Sequence, residues 1–173
     1  RRPLSPLIDR HETLADWNDL DVTDFVVAGD AGKITGVAAL WDQRASRRYV
    51  VTDYARTMRL LRPIWNLAAP FTGQPELPAV GQPLNAAFLS FLTADNPQTA
   101  LDLIRGGLTM AHQRGIGIVN LGLAVDDPLH PVVANAFRHQ PYRSTLYGVT
   151  WPGGRNLPPP AFFENSKVEL ALL

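Results

Sequence analysis

Residues 86–125 constrain the fold of this chain more than any other stretch. "AAFLSFL" (86–92) is an apolar run of strand length. "PQTALDLIRGGLTMAHQRG" (97–115) then spaces Leu101, Ile104, Leu108 and Ala111 as one stripe of a helix. "IGIVNLGLAV" (116–125) reads as a second strand. The helix is punctuated at both ends, with Asp95 or Asn96 as N-cap, Pro97 in the first turn and Gly115 as terminator. Strand, helix and strand in this order form a crossover that belongs in a mixed or parallel sheet. Gly106 and Gly107 inside the helix weaken it locally, and their presence predicts close packing of that helix on the sheet.

Upstream, "DFVVA" (24–28), the turn "GDAGK" (29–33) and "ITGVAALWDQ" (34–43) read as a β-hairpin, its return strand apolar enough to be buried on both faces. Leu14, Trp17 and Leu20 suggest a helix over 10–20. Val50, Tyr54, Met58 and Leu61 predict another over 49–61, positioned to cover the second face of the return strand. Arg44, Arg47, Arg48, Arg56, Arg59 and Arg62 are opposed there only by Asp53, which makes either a solvated face or a positive patch. Prolines 63, 70, 75, 78 and 83 predict a loop over 63–83 with little regular structure, of a length that often forms a lid or binding wall. Downstream, 127–140 reads as a helix, 142–151 as a strand, 151–163 as a loop and 166–173 as a final strand. The class is α/β: a central mixed sheet flanked by helices, in the order strand, strand, helix insert, strand, helix, strand, helix, strand, strand.

The 173 residues fit one domain, with 1–20 as an N-terminal extension and 44–83 as an insert. Sixteen basic residues balance sixteen acidic ones, so net charge offers no sign of a nucleic-acid partner. Absence of cysteine excludes disulfides, thiolate-bound zinc and a thiol nucleophile, and suits a cytoplasmic setting. No apolar run approaches the ~20 residues of a membrane span, so no membrane partner is expected. The opening "RRPLSP", without methionine, is consistent with a fragment of a longer chain.

Functional residues are sparse. The turn "TADNP" (93–97) leads a strand into a helix, a geometry that aims backbone N–H groups at an anion, yet it has no glycine. There is no P-loop or dinucleotide fingerprint. His130, Asp126 and Asp127 lack a further ligand at recognisable spacing, so no metal is expected. Asp42 is either a base or a turn carboxylate, and His112 either a base or a helix-end cap. Trp65 and Asn66 either line a pocket or belong to the core.

From residue 24 onward the succession resembles the GNAT (GCN5-related N-acetyltransferase) family. "FVVAGDAGKITGVAALW" is similar to its second and third strands, "AAFLSFL" to its fourth, 97–115 to its third helix, "IVNLGLAV" to its fifth strand and 127–140 to its fourth helix. The family's first strand and early helices are mostly absent. The resemblance implies an acyl-CoA-dependent N-acyltransferase that moves an acetyl group directly from acetyl-CoA to a small-molecule or peptide amine. The alternative is a GNAT-like domain without catalysis, kept as a binding or assembly module.

In the family the pantetheine arm enters a splay between the fourth and fifth strands, and the diphosphate sits on the turn into the third helix. The resemblance therefore places Phe91, Leu92, Thr93, Gln98, Thr99, Asn120 and His130 around the cofactor and Asp42, Ser90 and His139 around the chemistry. Ser90 either faces the splay or is a buried hydroxyl, and Asn120 contacts either the pantetheine amide or the sheet edge. The turn departs from the family's glycine-rich pattern: Asp95 brings negative charge and Pro97 removes a donor. Phe137 falls where many relatives carry a proton-donating tyrosine. The missing first strand implies an open edge beside residues 25–28, closed by a second copy of the chain or by an upstream domain.

Overall fold

The structure, a computed structural model, describes residues 17–145. Strands β1 (Phe25–Asp30) and β2 (Lys33–Trp41) form the expected hairpin. Its loop is two residues, Ala31 (φ 47°) and Gly32 (φ 82°), closed by the pair Asp30 and Lys33. Positive φ at both positions matches the twist of the strands the loop joins. Helix α1 (Arg56–Thr72) lies in the insert. Strand β3 (Ala86–Ala94), helix α2 (Pro97–Gln113) and strand β4 (Ile118–Asn120) make the crossover, and α3 (Leu129–Ala136) follows. The sheet order is β1-β2-β3-β4, antiparallel except for the parallel β3–β4 pair. The protein is therefore α/β with a four-stranded mixed sheet and three α-helices among the described residues.

Helix α2 packs on one face of the sheet. It buries Ala100, Leu103, Ile104, Gly107 and Ala111, so the buried stripe is turned from the expected one: Leu108 stays partly exposed and Gly107 faces inward. The glycine pair explains the rotation. A Cβ at Gly106 would come within 2.7 Å of Val26 Cγ1 on β1, and one at Gly107 would collide with Leu89 Cδ1 on β3. Gly36 on β2 has the same function under the first turn, where a Cβ would meet Thr93 O at 2.9 Å and Leu103 Cδ1 at 2.8 Å.

The opposite face is covered differently from the expectation. Trp17 stacks on Phe91 at 4.7 Å and on Trp41 at 5.8 Å, and Phe25 adds to the stack. Leu20 is buried with Ala39, Trp41 and Phe88 in the same cluster, and Trp41 Nε1 donates to Asn18 O at 2.9 Å. A bridge ties this segment to α2: Arg114 Nη1 donates to Asp24 Oδ1 at 2.5 Å, and Asp24 Oδ2 accepts from Asp21 N. Helix α1 makes no substantial contact with the sheet.

Several boundaries differ from the sequence expectation. Residues 49–51 do not start a helix. Tyr49 O, Val51 N and Val51 O bond to Leu84 N, Gln82 O and Gly81 N, closing the base of the insert. The helix begins at Arg56 and runs through Pro63 and Pro70 into the segment expected to be loop. Side chains on one side of it tie it to the loop that follows. Arg62 Nε donates to Leu77 O, Asn66 exchanges two hydrogen bonds with the Leu77 backbone, and Trp65 Nε1 donates to Pro75 O. Strand β4 is three residues instead of ten, because a strand persists only where a neighbour bonds to it, and β3 pairs there only over Ala86–Phe88. Helix α3 is shorter than 127–140: Pro128 is its N-cap, Asp127 ahead of it accepts from Leu129 N, and Phe137 is extended (φ −127°, ψ 138°). Of the expected 10–20 helix only 17–20 is described, as bend and turn, and 142–145 has no regular structure. The expected loop at 151–163 and strand at 166–173 lie outside the described residues, as does most of the strand expected at 142–151.

Among the described residues β1 has no neighbour on its outer side. A register shift at Ala28/Gly29 kinks it, one of the ways an edge resists further pairing.

Overpacking beneath α2 generates a test. Gly107→Ala adds a methyl group against a fully buried Leu89, at a cost of about 1–3 kcal/mol that exceeds the helix-propensity gain of about 1 kcal/mol. Urea denaturation is expected to show a net loss of stability, and an unchanged midpoint would mean that α2 sits farther from the sheet.

Candidate functional site

The candidate site is built on β3. Its pairing with β4 ends at Phe88 and Asn120, while β3 continues to Ala94. Beyond that point the chain leaving β4 diverges, and the outer edge of β3 over 89–94 has no strand beside it among the described residues. A bulge interrupts the other side of β3. Val37 pairs with Thr93 and Ala39 with Ser90, so Phe91 and Leu92 together oppose Ala38. Phe91 takes up the extra residue with φ 57°, a conformation costing a β-carbon residue about 1–2 kcal/mol. The stack of Trp17, Phe25 and Trp41 around its ring holds it there.

Beside the bulge, Ser90 is 1% exposed and its Oγ has no hydrogen-bond partner among the described residues. An unsatisfied buried hydroxyl is unfavourable, and its place next to the open edge marks it. Leu92 is buried against α2, and Thr93 is exposed. Asn120 closes the start of the splay, its Nδ2 donating to Ala87 O at 3.4 Å.

At the end of β3 the chain turns into α2. Asn96 is the N-cap, its Oδ1 accepting from Thr99 N at 2.9 Å. That bond occupies the Thr99 donor, Pro97 has none, and Ala100 N bonds to Asn96 O, which leaves the Gln98 N–H in the first turn. The Gln98 side chain donates to Asp102. Asp95 lies 3.9 Å from Lys33 Nζ, with both side chains largely exposed. Lys33 is the cation that the turn's own sequence lacks. The β2–β3 register delivers it from the far end of the hairpin, and no local motif marks it.

The remaining residues lie apart. Trp41 pairs with Phe88 and Gly36 with Ala94, so Asp42 sits at the opposite end of β3 from the turn, about 20 Å away at the usual rise per residue. Arg44 grips Asp42 with Nε at 2.8 Å and Nη2 at 2.7 Å, while its Nη1 donates to Asn85. These hydrogen bonds hold the Asp42 carboxyl below the usual range despite partial burial, which makes it a weak proton acceptor. His139 is exposed, its Nδ1 3.0 Å from Phe137 O, and His130 is exposed on α3. Asp42, Ser90 and His139 share no hydrogen bond. Phe137 packs into the core beneath α2, with Arg105 over its ring. His112 sits in the last turn of α2, where a basic group complements the helix dipole.

Three of the six arginines of the insert are engaged within the chain. Arg44 binds Asp42, Arg59 pairs with Asp53, and Arg62 holds the loop carbonyls of Leu77 and Pro78. An open groove lined by Pro75, Glu76, Pro83, Asn85, Gly117 and Ile118 lies at the N-terminal ends of β3 and β4. Ligands of such sheets bind at the C-terminal ends of parallel strands, so the splay and turn remain the better candidate. Among the described residues no cluster of acidic or histidine side chains could hold a metal ion, and no helix is long and apolar enough to cross a membrane. Comparisons with protein-family models, with curated proteins and with solved structures return no match.

The Asp42–Arg44 fork makes a pH prediction. A carboxylate whose folded pKa lies below its unfolded value of about 4 contributes stability that is complete above that value and lost as pH falls through the folded one. Urea midpoints measured below about pH 5 are expected to fall less steeply for Asp42→Asn than for the parent. Parallel profiles would mean that the fork is absent in solution.

Proposed function

We propose that this domain binds acyl-CoA along the open edge of β3 and transfers the acyl group to an amine. The supporting observation is the splay: from Leu89 to Ala94 β3 has no strand of the described residues on its β4 side, passes a bulge, and ends at the N-terminus of α2. An extended amide-bearing arm pairs with such an edge as an added strand does, and a helix N-terminus beyond it faces the phosphates. The fit is uneven. The edge suits the arm, whereas the turn offers the diphosphate only the Gln98 N–H, Lys33 and whatever Asp95 permits. Acyl transfer itself needs the amine held against the thioester carbonyl, a route for its proton, and donors at the developing oxyanion. The Ser90 hydroxyl, without a partner among the described residues, is the polar side chain best placed to contribute a hydrogen bond beside the bulge. The GNAT resemblance supports the same reading, with the domain closed on its outer edge by a second copy or an upstream domain.

A second reading has its own support. The N-cap bond to Thr99, the proline at position 97 and the Arg44-held Asp42 all remove groups that an enzyme would use. They favour a GNAT-like module that binds or assembles without catalysis.

Calorimetry with acetyl-CoA separates the two. Binding is expected, and it should tighten several-fold in Asp95→Gly, which frees Lys33 and removes a like charge. It should weaken in Lys33→Ala, with the difference fading at high salt. No heat at millimolar acetyl-CoA would favour the non-catalytic module.

A further inference from the structure

The groove at the N-terminal ends of β3 and β4 has a volume of about 310 Å³, enough for one small molecule. Pro75, Pro78 and Pro83 reach it from the insert, and Gly117 and Ile118 from the entry to β4. Gly117 lets the two sides approach, since a Cβ there would lie 3.1 Å from Pro75 Cβ. The proline loop is fixed from the side of α1. Trp65 Nε1 donates to Pro75 O, Asn66 exchanges two hydrogen bonds with the Leu77 backbone, and Tyr54 OH donates to Pro78 O. Walls held in this way lose little freedom when a ligand enters.

The ligand's chemistry follows from which groups are already used. Prolines have no N–H. The carbonyls of Pro75 and Pro78 accept from Trp65 and Tyr54, and that of Leu84 from Ala86 N. Asn85 Oδ1 accepts from Arg44, its Nδ2 donates to Gly115 O, and its backbone carbonyl accepts from Ile118 N. Among the described residues that line the groove only Glu76 is charged, and its exposed carboxylate has no ion pair among them. The bonds to Pro75 O and to the Leu77 backbone hold Glu76 from both sides. Arg44 touches Asn85 without lining the groove, and the Asp42 fork matches its charge. An anion would face Glu76, and a neutral polar molecule would find the Asn85 amide taken. We propose that the groove is an amine subsite, which takes a small primary amine with its ammonium against Glu76 and its hydrocarbon against the prolines and Ile118. Ile118 lies two residues before Asn120, where the splay begins, about 7 Å at the usual rise. The fate of the amine rests on the acyl-transfer reading above, but its binding does not. On that reading the groove holds the acceptor at the closed end of the splay, opposite the end that faces the phosphates.

Trp65 reports on the groove, because its indole N–H bonds to Pro75 O. In heteronuclear NMR spectra of the whole chain, benzylamine is expected to shift the Trp65 indole and the Gly117 and Ile118 amides saturably, with a dissociation constant of about 0.1–10 mM. A single carboxylate in contact with water contributes modestly, so benzyl alcohol should bind about two- to fivefold more weakly than benzylamine. Glu76→Gln, an exposed substitution that leaves the fold intact, should remove that preference, and high salt should reduce it in the parent. Shifts that do not saturate, equal binding of benzylamine and benzyl alcohol, or an undiminished preference in Glu76→Gln would overturn the proposal. Calorimetry with acetyl-CoA separates it from the reading above. Amine binding without acetyl-CoA binding keeps the subsite and removes acyl transfer, whereas acetyl-CoA binding without amine binding removes the subsite alone.

Discussion

Everything in this fold is arranged around the unequal pairing of β3. On one side it bonds to β2 along nearly its whole length, and on the other it meets β4 for three residues only. The short parallel contact fixes the start of the crossover, and beyond Phe88 and Asn120 no strand of the described residues lies on that side of β3. A strand edge of this kind is what an extended ligand pairs with.

The remaining elements keep that edge in place. Helix α2 approaches the sheet closely because Gly36, Gly106 and Gly107 present no side chain at its contacts with β1, β2 and β3. Its first turn is thereby brought over the end of β3. On the opposite face the rings of Trp17, Phe25 and Trp41 pack about Phe91 and hold the bulge in a conformation that the residue would not choose alone. Arg114 links the end of α2 to Asp24 at the entry to β1, so the two faces are joined across the sheet.

What could be read from the sequence was what short-range chemistry determines. The hairpin follows from Gly32 and its neighbours. The limits of α2 follow from Asn96, Pro97 and Gly115, and its close approach from Gly106 and Gly107. The insert was misread because Val50, Tyr54, Met58 and Leu61 share a helical period, while the bonds of residues 49–51 go to residues 81–84, a pairing invisible to any local window. Pro63 and Pro70 suggest a break, yet the helix continues through both, tied to the next loop by Arg62, Trp65 and Asn66. Near the candidate site, the turn into α2 and the burial of the Ser90 hydroxyl are legible. Lys33 was not, because its proximity to Asp95 depends on strand register. Asp42 looked available as a base until Arg44, two residues on, was seen to grip both its oxygens.

The central claim is that the β4 side of β3 beyond Phe88 is an open edge that accepts an extended acyl-CoA arm. Residue-resolved amide hydrogen exchange across 89–94 tests it most directly. The account predicts fast exchange in the free protein at those amides that do not bond to β2, and slowing of the same amides when acetyl-CoA is added, while the β1–β2 hairpin is unchanged. Slow exchange of all six amides without ligand, or fast exchange that saturating acetyl-CoA leaves untouched, would contradict it.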